Sequence, residues 1–284
     1  MRLILIATLW LLLSVAPIPP AIRVSAPAGA LQPGSVLLLT IDSDDPLPAL
    51  RARAFGREFV PFSVGPRRAQ VLVGIDLDVK PGRHPITVAA PDHAEGTIYT
   101  AVVQPRRFPT RTLRVDPDLV NPPPQEMDRI AREAERLRAL WAAPATNKLW
   151  DGAFRAPVPD PPNSSFGTRS VYNGQSRSPH GGTDFLSPSG RPIKAPNAGR
   201  VVLAGPLYFT GGTVVIDHGL GVLSLFAHMS TIDVREGDVV KADDVIGAVG
   251  ATGRVTGPHL HWAVRLAGAR VDPISLLAAT APSR

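Results

Sequence analysis

No cysteine occurs among the 284 residues. That absence removes a disulfide scaffold, a thiolate zinc site, a cysteine nucleophile and a lipid-modified N-terminal cysteine together. Any metal must be held by histidine and carboxylate, and there are only seven histidines to search. No short internal repeat, low-complexity tract or helix-turn-helix pattern is present, and basic residues do not interleave with aromatics into a nucleic-acid platform. Beyond the N-terminus, no stretch approaches the roughly 20 apolar residues of a membrane-spanning helix. What is present is a chain of ordinary hydrophobic content (44%) with 31 prolines, 25 glycines and 30 basic against 24 acidic side chains. The charge of +6 suits an anionic partner such as nucleic acid, a membrane surface or a cell-wall polymer, without choosing among them.

The first segment reads as an address. Met1-Arg2 precedes an apolar run from Leu3 to Ala16, short for a bilayer span, and Ala26-Pro-Ala28 fits the small-residue cleavage pattern. Residues 1–28 are therefore expected to be an export signal whose removal leaves no membrane span. From 29 to 116, short β-rich runs such as Ser35–Ile41, Gln70–Val79, Pro85–Ala89 and Thr97–Val103 alternate with Pro/Gly turns. They predict a small immunoglobulin-like β sandwich; His84, within Pro-Gly-Arg-His-Pro, reads as a solvated loop residue. Asn121-Pro-Pro-Pro124 then opens a helix in which Met127, Ile130, Ala134, Leu137, Leu140 and Trp141 recur mostly at spacings of three and four. With the extended Ala156–Asn163 stretch, this makes 117–163 a helical and Pro-rich linker. From 164 to 284, strand-like runs punctuated by glycine and aspartate, without a long helical period, disfavour a parallel α/β sheet. The fold class is mainly β, ending in an antiparallel β sandwich.

Five of the seven histidines fall in that last part: His180, His218, His228, His259 and His261. His180-Gly-Gly-Thr-Asp184 offers a nitrogen and an oxygen ligand across a flexible Gly-Gly. His259-Leu-His261 lies on a predicted strand, where residues two apart share a face. A catalytic zinc wants three protein ligands and an open fourth position, and histidine with aspartate can meet that demand without cysteine. Which histidines ligate is left open by spacing alone. His218, in Ile-Asp-His-Gly, reads as a turn residue. His228, following an apolar strand, reads by itself as a structural histidine.

Taken in order, His180-Gly-Gly-Thr-Asp184, Phe226-Ala-His-Met229, Val249-Gly-Ala-Thr-Gly-Arg254 and Thr256-Gly-Pro-His-Leu-His261 resemble the lysostaphin-type, or LytM-like, zinc metallopeptidases, with the likeness running from about Phe166 to Leu277. The resemblance implies Zn2+ held by His180, Asp184 and His261, with His228 and His259 acting in catalysis. It implies an exported endopeptidase of the periplasm or cell envelope, expected as a monomer, whose partners are peptidoglycan stem peptides cut at D-alanyl–diaminopimelyl cross-links. The alternative is an inactive relative that binds the wall and activates another hydrolase; such relatives lose zinc ligands, and this chain keeps all five residues. Two positions depart from the commonest pattern. Phe226 stands where tyrosine is frequent, removing a hydroxyl from the motif, and Trp262-Ala263 stand where an aromatic and a glutamate often follow. Tyr208–Gly212 is expected as a loop at the rim of the site. Val234–Val249 is similar to half of a biotinyl or lipoyl barrel, but Lys241 lies beyond the Gly237-Asp238 turn, so a carrier lysine is not supported.

Overall fold

The computed structural model describes residues 22–91, 95–114, 120–163 and 166–282. The expected export signal, as far as residue 21, lies outside the described residues. Eight strands come first: β1 (Ile22–Ser25), β2 (Val36–Ser43), β3 (Arg51–Ala54), β4 (Arg57–Phe59), β5 (Phe62–Gly65), β6 (Arg68–Gly74), β7 (Gly82–Ala89) and β8 (Thr97–Val103). They form two four-stranded antiparallel sheets, ordered β1-β2-β6-β5 and β4-β3-β7-β8. Period-2 alternation turns Leu37, Leu39 and Ile41 of β2 inward, opposite Val73, Val71 and Ala69 of β6. Ala52, Ile86, Val88 and Ala101 of the other sheet join the same core, an arrangement compatible with the expected sandwich.

Two expectations change here. Ile22–Ser25, placed before the boundary at residue 28, pairs in register with Thr40–Ser43; the first sheet therefore extends upstream of Gly29. His84 is not in a loop: it lies on β7 opposite Ala101, half-buried against the Phe55 ring, with Nε2 2.8 Å from the Lys80 carbonyl.

A strand β9 (Thr110–Leu113) leaves the N-terminal part, and helix α1 (Met127–Ala142) follows after a short 3-10 turn. Next come β10 (Arg169–Tyr172), parallel to β9, and β11 (Gln175–Ser176). The remaining strands are β12 (Thr183–Phe185), β13 (Pro192–Lys194), β14 (Gly199–Leu207), β15 (Gly211–Gly219), β16 (Val222–Ile232), β17 (Val239–Val240), β18 (Val245–Val249), β19 (Leu260–Leu266) and β20 (Ala269–Val271). They make a nine-stranded antiparallel sheet whose main path is β12-β19-β16-β15-β14-β17. One face packs Phe226 and Trp262, stacked within 5° of parallel, into the main core. The other face carries Leu203, Val215, Leu223, Leu225, Ala227 and Ala263, and the apolar stripe of α1 (Leu137, Leu140, Trp141) covers it.

The part of the expected linker that precedes the prolines is not solvated throughout: Trp150 and Phe154 are buried in the main core, and Val158 joins them from a Pro-rich stretch whose other residues are mostly exposed. A closing helix, α2 (Pro273–Thr280), was not legible from periodicity: it is eight residues long and mostly apolar, but Asp272 caps it by accepting from Ile274 N–H, with Pro273 in its first turn.

Candidate metal centre

Asp184 sits at the middle of β12, directly opposite His261 of β19, so sheet register puts both side chains on one face. His180 reaches the same point through Gly181-Gly182. A Cβ on Gly182 would lie 2.5 Å from the Trp262 carbonyl oxygen and 2.8 Å from His261 Cε1, so only glycine lets the chain pass there. His180 Nε2 lies 3.0 Å and His261 Nδ1 2.9 Å from Asp184 Oδ1. The three ligand atoms all fall within 4.8 Å of one another. Burial alone would raise the Asp184 carboxyl, but hydrogen bonds and charge from His180 and His261 hold it well below the usual carboxylate range. Burial pushes the His261 imidazole down, against the opposing pull of Asp184. An ionised carboxylate beside a neutral imidazole is the protonation state that a metal requires of its ligands. The donor set thus fits a divalent cation of the zinc type.

His259 and His228 stand beside this group, their rings 4.8 Å apart. His259 shares the face of His261, two residues away, and its Nε2 lies 4.0 Å from Asp184 Oδ1. Each ring is oriented through Nδ1, by Gly257 O for His259 and by Thr252 O for His228, both at 2.9 Å. A carbonyl can only accept, so each neutral ring carries its proton on Nδ1 and presents the Nε2 lone pair. Burial, reinforced by the His261 charge, pushes His228 down to about 3.

His228 is not beyond the strand, as expected, but inside β16, and its placement has a specific cause. Strict alternation would send Ala227 to the face of His261 and His228 to the core, as its neighbour Phe226 shows. The β15–β16 register slips by one residue between Gly212↔Met229 and Val214↔Phe226. His228 takes φ 65° in this bulge, a left-handed conformation costly for a side chain with a Cβ, and is turned back toward the other histidines.

The cleft over these residues encloses about 310 Å³, and Tyr172, Phe209, Thr210, Arg254 and Arg111 complete its walls. Phe209 and Thr210 belong to the β14–β15 turn, which is the rim loop expected from Tyr208–Gly212. Arg254 stands in a motif noted from sequence, but Arg111 arrives from β9, remote in the chain, and no local pattern marks it. Phe226 costs the cleft nothing, since its ring is fully buried on the opposite face. His218 is corrected: it lies within β15, fully buried, with Nδ1 2.8 Å from Ala198 O and Nε2 3.0 Å from Ser224 Oγ. Burial lowers it to about 4, and it takes no part in the metal group.

Residues 178–273 match the model of peptidase family M23. Over 97 residues, 34% of this chain and 22% of the relative, it is 42% identical to the DD-carboxypeptidase/endopeptidase Mpg of Neisseria meningitidis serogroup B. Over 121 residues, 42% of this chain and 27% of the relative, it is 37% identical to the peptidoglycan DD-endopeptidase ShyA of Vibrio cholerae. The matches thus span well under a third of these curated relatives. A solved structure from Pseudomonas aeruginosa assigned to peptidase M23 is 35% identical, with a TM-score of 0.70 over 88% of this chain and 96% of that one.

Proposed function

This chain belongs to peptidase family M23, and from that premise we propose that it is an exported zinc endopeptidase cutting peptide cross-links of peptidoglycan in the periplasm or cell envelope. The observation that carries the reading is the convergence of His180, Asp184 and His261 in a cleft that also holds His228 and His259. In this reading His180 Nε2, Asp184 Oδ1 and His261 Nδ1 are the ligand atoms. Zinc, when bound there, supplies Lewis-acid polarisation of the scissile carbonyl and acidification of water.

His259 presents an Nε2 lone pair next to the ligand atoms, so it is assigned the proton of the attacking water. His228 is buried and neutral at rest. Its Nε2 donates only after taking a proton, a change favoured as negative charge develops on the substrate, and it is assigned to the oxyanion or the leaving amine. A D-alanyl–diaminopimelyl bond is the proposed scissile link, in keeping with the names of the DD-endopeptidase relatives. An inactive wall-binding role is disfavoured because none of the five side chains is lost. Digestion of purified cross-linked muropeptide dimers, followed by mass analysis, tests the proposal: monomers should appear in the presence of zinc and not after chelation. Intact dimers with a zinc-loaded chain would sink it.

A further inference from the structure

The turn at residues 208–210, between β14 and β15, borders two cavities: the metal cleft at Phe209 and Thr210, and a hollow of about 490 Å³ at Tyr208. Close packing therefore fixes it on neither border, and its hydrogen bonds set its position. At its first residue the tether comes from the linker helix. The Tyr208 N–H donates to Glu133 Oε2 of α1 at 2.7 Å, a short bond to a charged acceptor. Glu133 is itself held, since Arg129 Nε donates to its other oxygen at 2.8 Å, and the Arg129 guanidinium lies 5.8 Å from the Tyr208 ring centre. With its side chain only 17% exposed, this carboxylate is shielded from the water that would otherwise compete for it.

The same turn holds His228. Thr210 O accepts the His228 backbone N–H at 2.8 Å. Gly212, just past the turn, donates its N–H to Thr252 Oγ1 at 2.9 Å, and Thr252 O is the partner of the His228 ring. A histidine at φ 65° persists only where its surroundings over-determine it, and the turn supplies the backbone half of that constraint. Resting on the peptidase reading above, we infer that Glu133 is a positioning residue: by fixing Tyr208 it fixes Thr210 O, and so keeps the His228 ring turned toward the other histidines of the cleft. Glu133 does not line the cleft and acts through the turn alone. Helix α1, a linker by its sequence, thereby takes part in the site.

The experiment uses the full zinc-loaded chain with Glu133→Ala and Glu133→Gln, the former also in a His228→Ala background. Alanine is a good helix former, so α1 is kept. Glu133→Ala should raise amide hydrogen exchange at His228 as well as at Tyr208, by about 10-fold or more. On cross-linked muropeptide dimers it should lower kcat by about 10- to 100-fold, the scale on which displacing a catalytic group is felt, with KM and zinc content little changed. Glu133→Gln keeps a neutral acceptor for the Tyr208 N–H and should recover most of both effects. In the His228→Ala background Glu133→Ala should cost almost nothing further, because the group it positions is gone, whereas a role in general stability would cost the same fold in both backgrounds. Unchanged exchange at His228 in Glu133→Ala, or an equal loss with and without His228, overturns the inference while leaving the peptidase reading intact. Failure of wild type to cut the dimers overturns the peptidase reading, and exchange at His228 then still decides whether Glu133 holds the turn.

Discussion

At the scale of single residues, the five cleft residues divide by what each loss should remove. In the proposed reading, His261→Ala or Asp184→Ala takes away a ligand atom, so zinc should fall from one per chain toward none, with activity lost alongside. His228→Ala and His259→Ala leave the three ligand atoms in place. They should keep zinc and lose about 10²- to 10⁴-fold in kcat, the usual worth of a positioned acid or base. Metal analysis beside steady-state kinetics separates the two classes, and a His259→Ala chain without zinc would return that residue to the ligand set. His218 provides a test of buried protonation away from the metal. Its pKa is depressed to about 4 from an ordinary 6.5, so the folded state binds fewer protons than the unfolded state between those values. Its stabilising contribution is complete above pH 6.5 and is lost as pH falls toward 4, by about 3 kcal/mol at most. His218→Gln should flatten that part of the stability profile. Urea midpoints at pH 7 and pH 5, taken on both chains with zinc present, check it; identical slopes would refute it.

At the scale of elements, the sequence is legible where period and chemistry coincide. The His-x-His pair at the start of β19 and the His-Gly-Gly-Thr-Asp approach to β12 could be read because strand alternation and glycine freedom are local properties. The stripe of α1 was legible for the same reason, as its Leu137, Leu140 and Trp141 do cover the outer sheet face. His228 was misplaced because a bulge is a property of two paired strands, and no local period announces a left-handed histidine. His218 was misread because Ile-Asp-His-Gly carries a turn signature, while its burial depends on Phe154 from a segment that itself looked like linker. The glycine pair gives this scale its prediction. Gly182→Ala places a Cβ 2.5 Å from the Trp262 carbonyl, forcing β12 from β19 and disturbing the Asp184–His261 pairing. It should cost about 1–3 kcal/mol and weaken zinc binding although no ligand is changed. Gly181→Ala meets only Arg265 nitrogens at 3.7 Å, an ordinary contact, and should be nearly silent. Thermal melts with zinc titrations of the two variants decide the matter, and equal behaviour would count against the steric account.

At the scale of the whole molecule, the N-terminal sheets are fastened to the catalytic sheet as one packed body. A single hydrophobic core runs through both, and Gly74 comes close to Leu266, Ala269 and Val271. The Pseudomonas structure, similar over 88% of this chain, extends through the same parts. Beside that core, Asp76 accepts from Arg270 through its backbone N–H at 2.8 Å and its guanidinium at 2.6 Å, with Arg57 3.9 Å away. Burial alone would raise the Asp76 carboxyl, but its hydrogen bonds with Arg270 hold it below the ordinary range. Removing it would leave Arg57 and Arg270 facing the same pocket as Arg265, itself lowered to about 10 by burial. Truncating one member of a well-buried pair costs about 3–5 kcal/mol, and the partial exposure of Arg270 brings the expectation for Asp76→Ala to about 2–3 kcal/mol. Because the carboxylate is stabilised when ionised, this contribution is present above pH 4 and fades as the pH drops further. Arg270→Ala in the Asp76→Ala background should cost less than Arg270→Ala alone, since the guanidinium then keeps only its exposed ion pair with Asp78. Denaturant unfolding of the four chains of this cycle measures the coupling directly. A coupling near zero would mean that the shared apolar core, without the ion pair, joins the two parts.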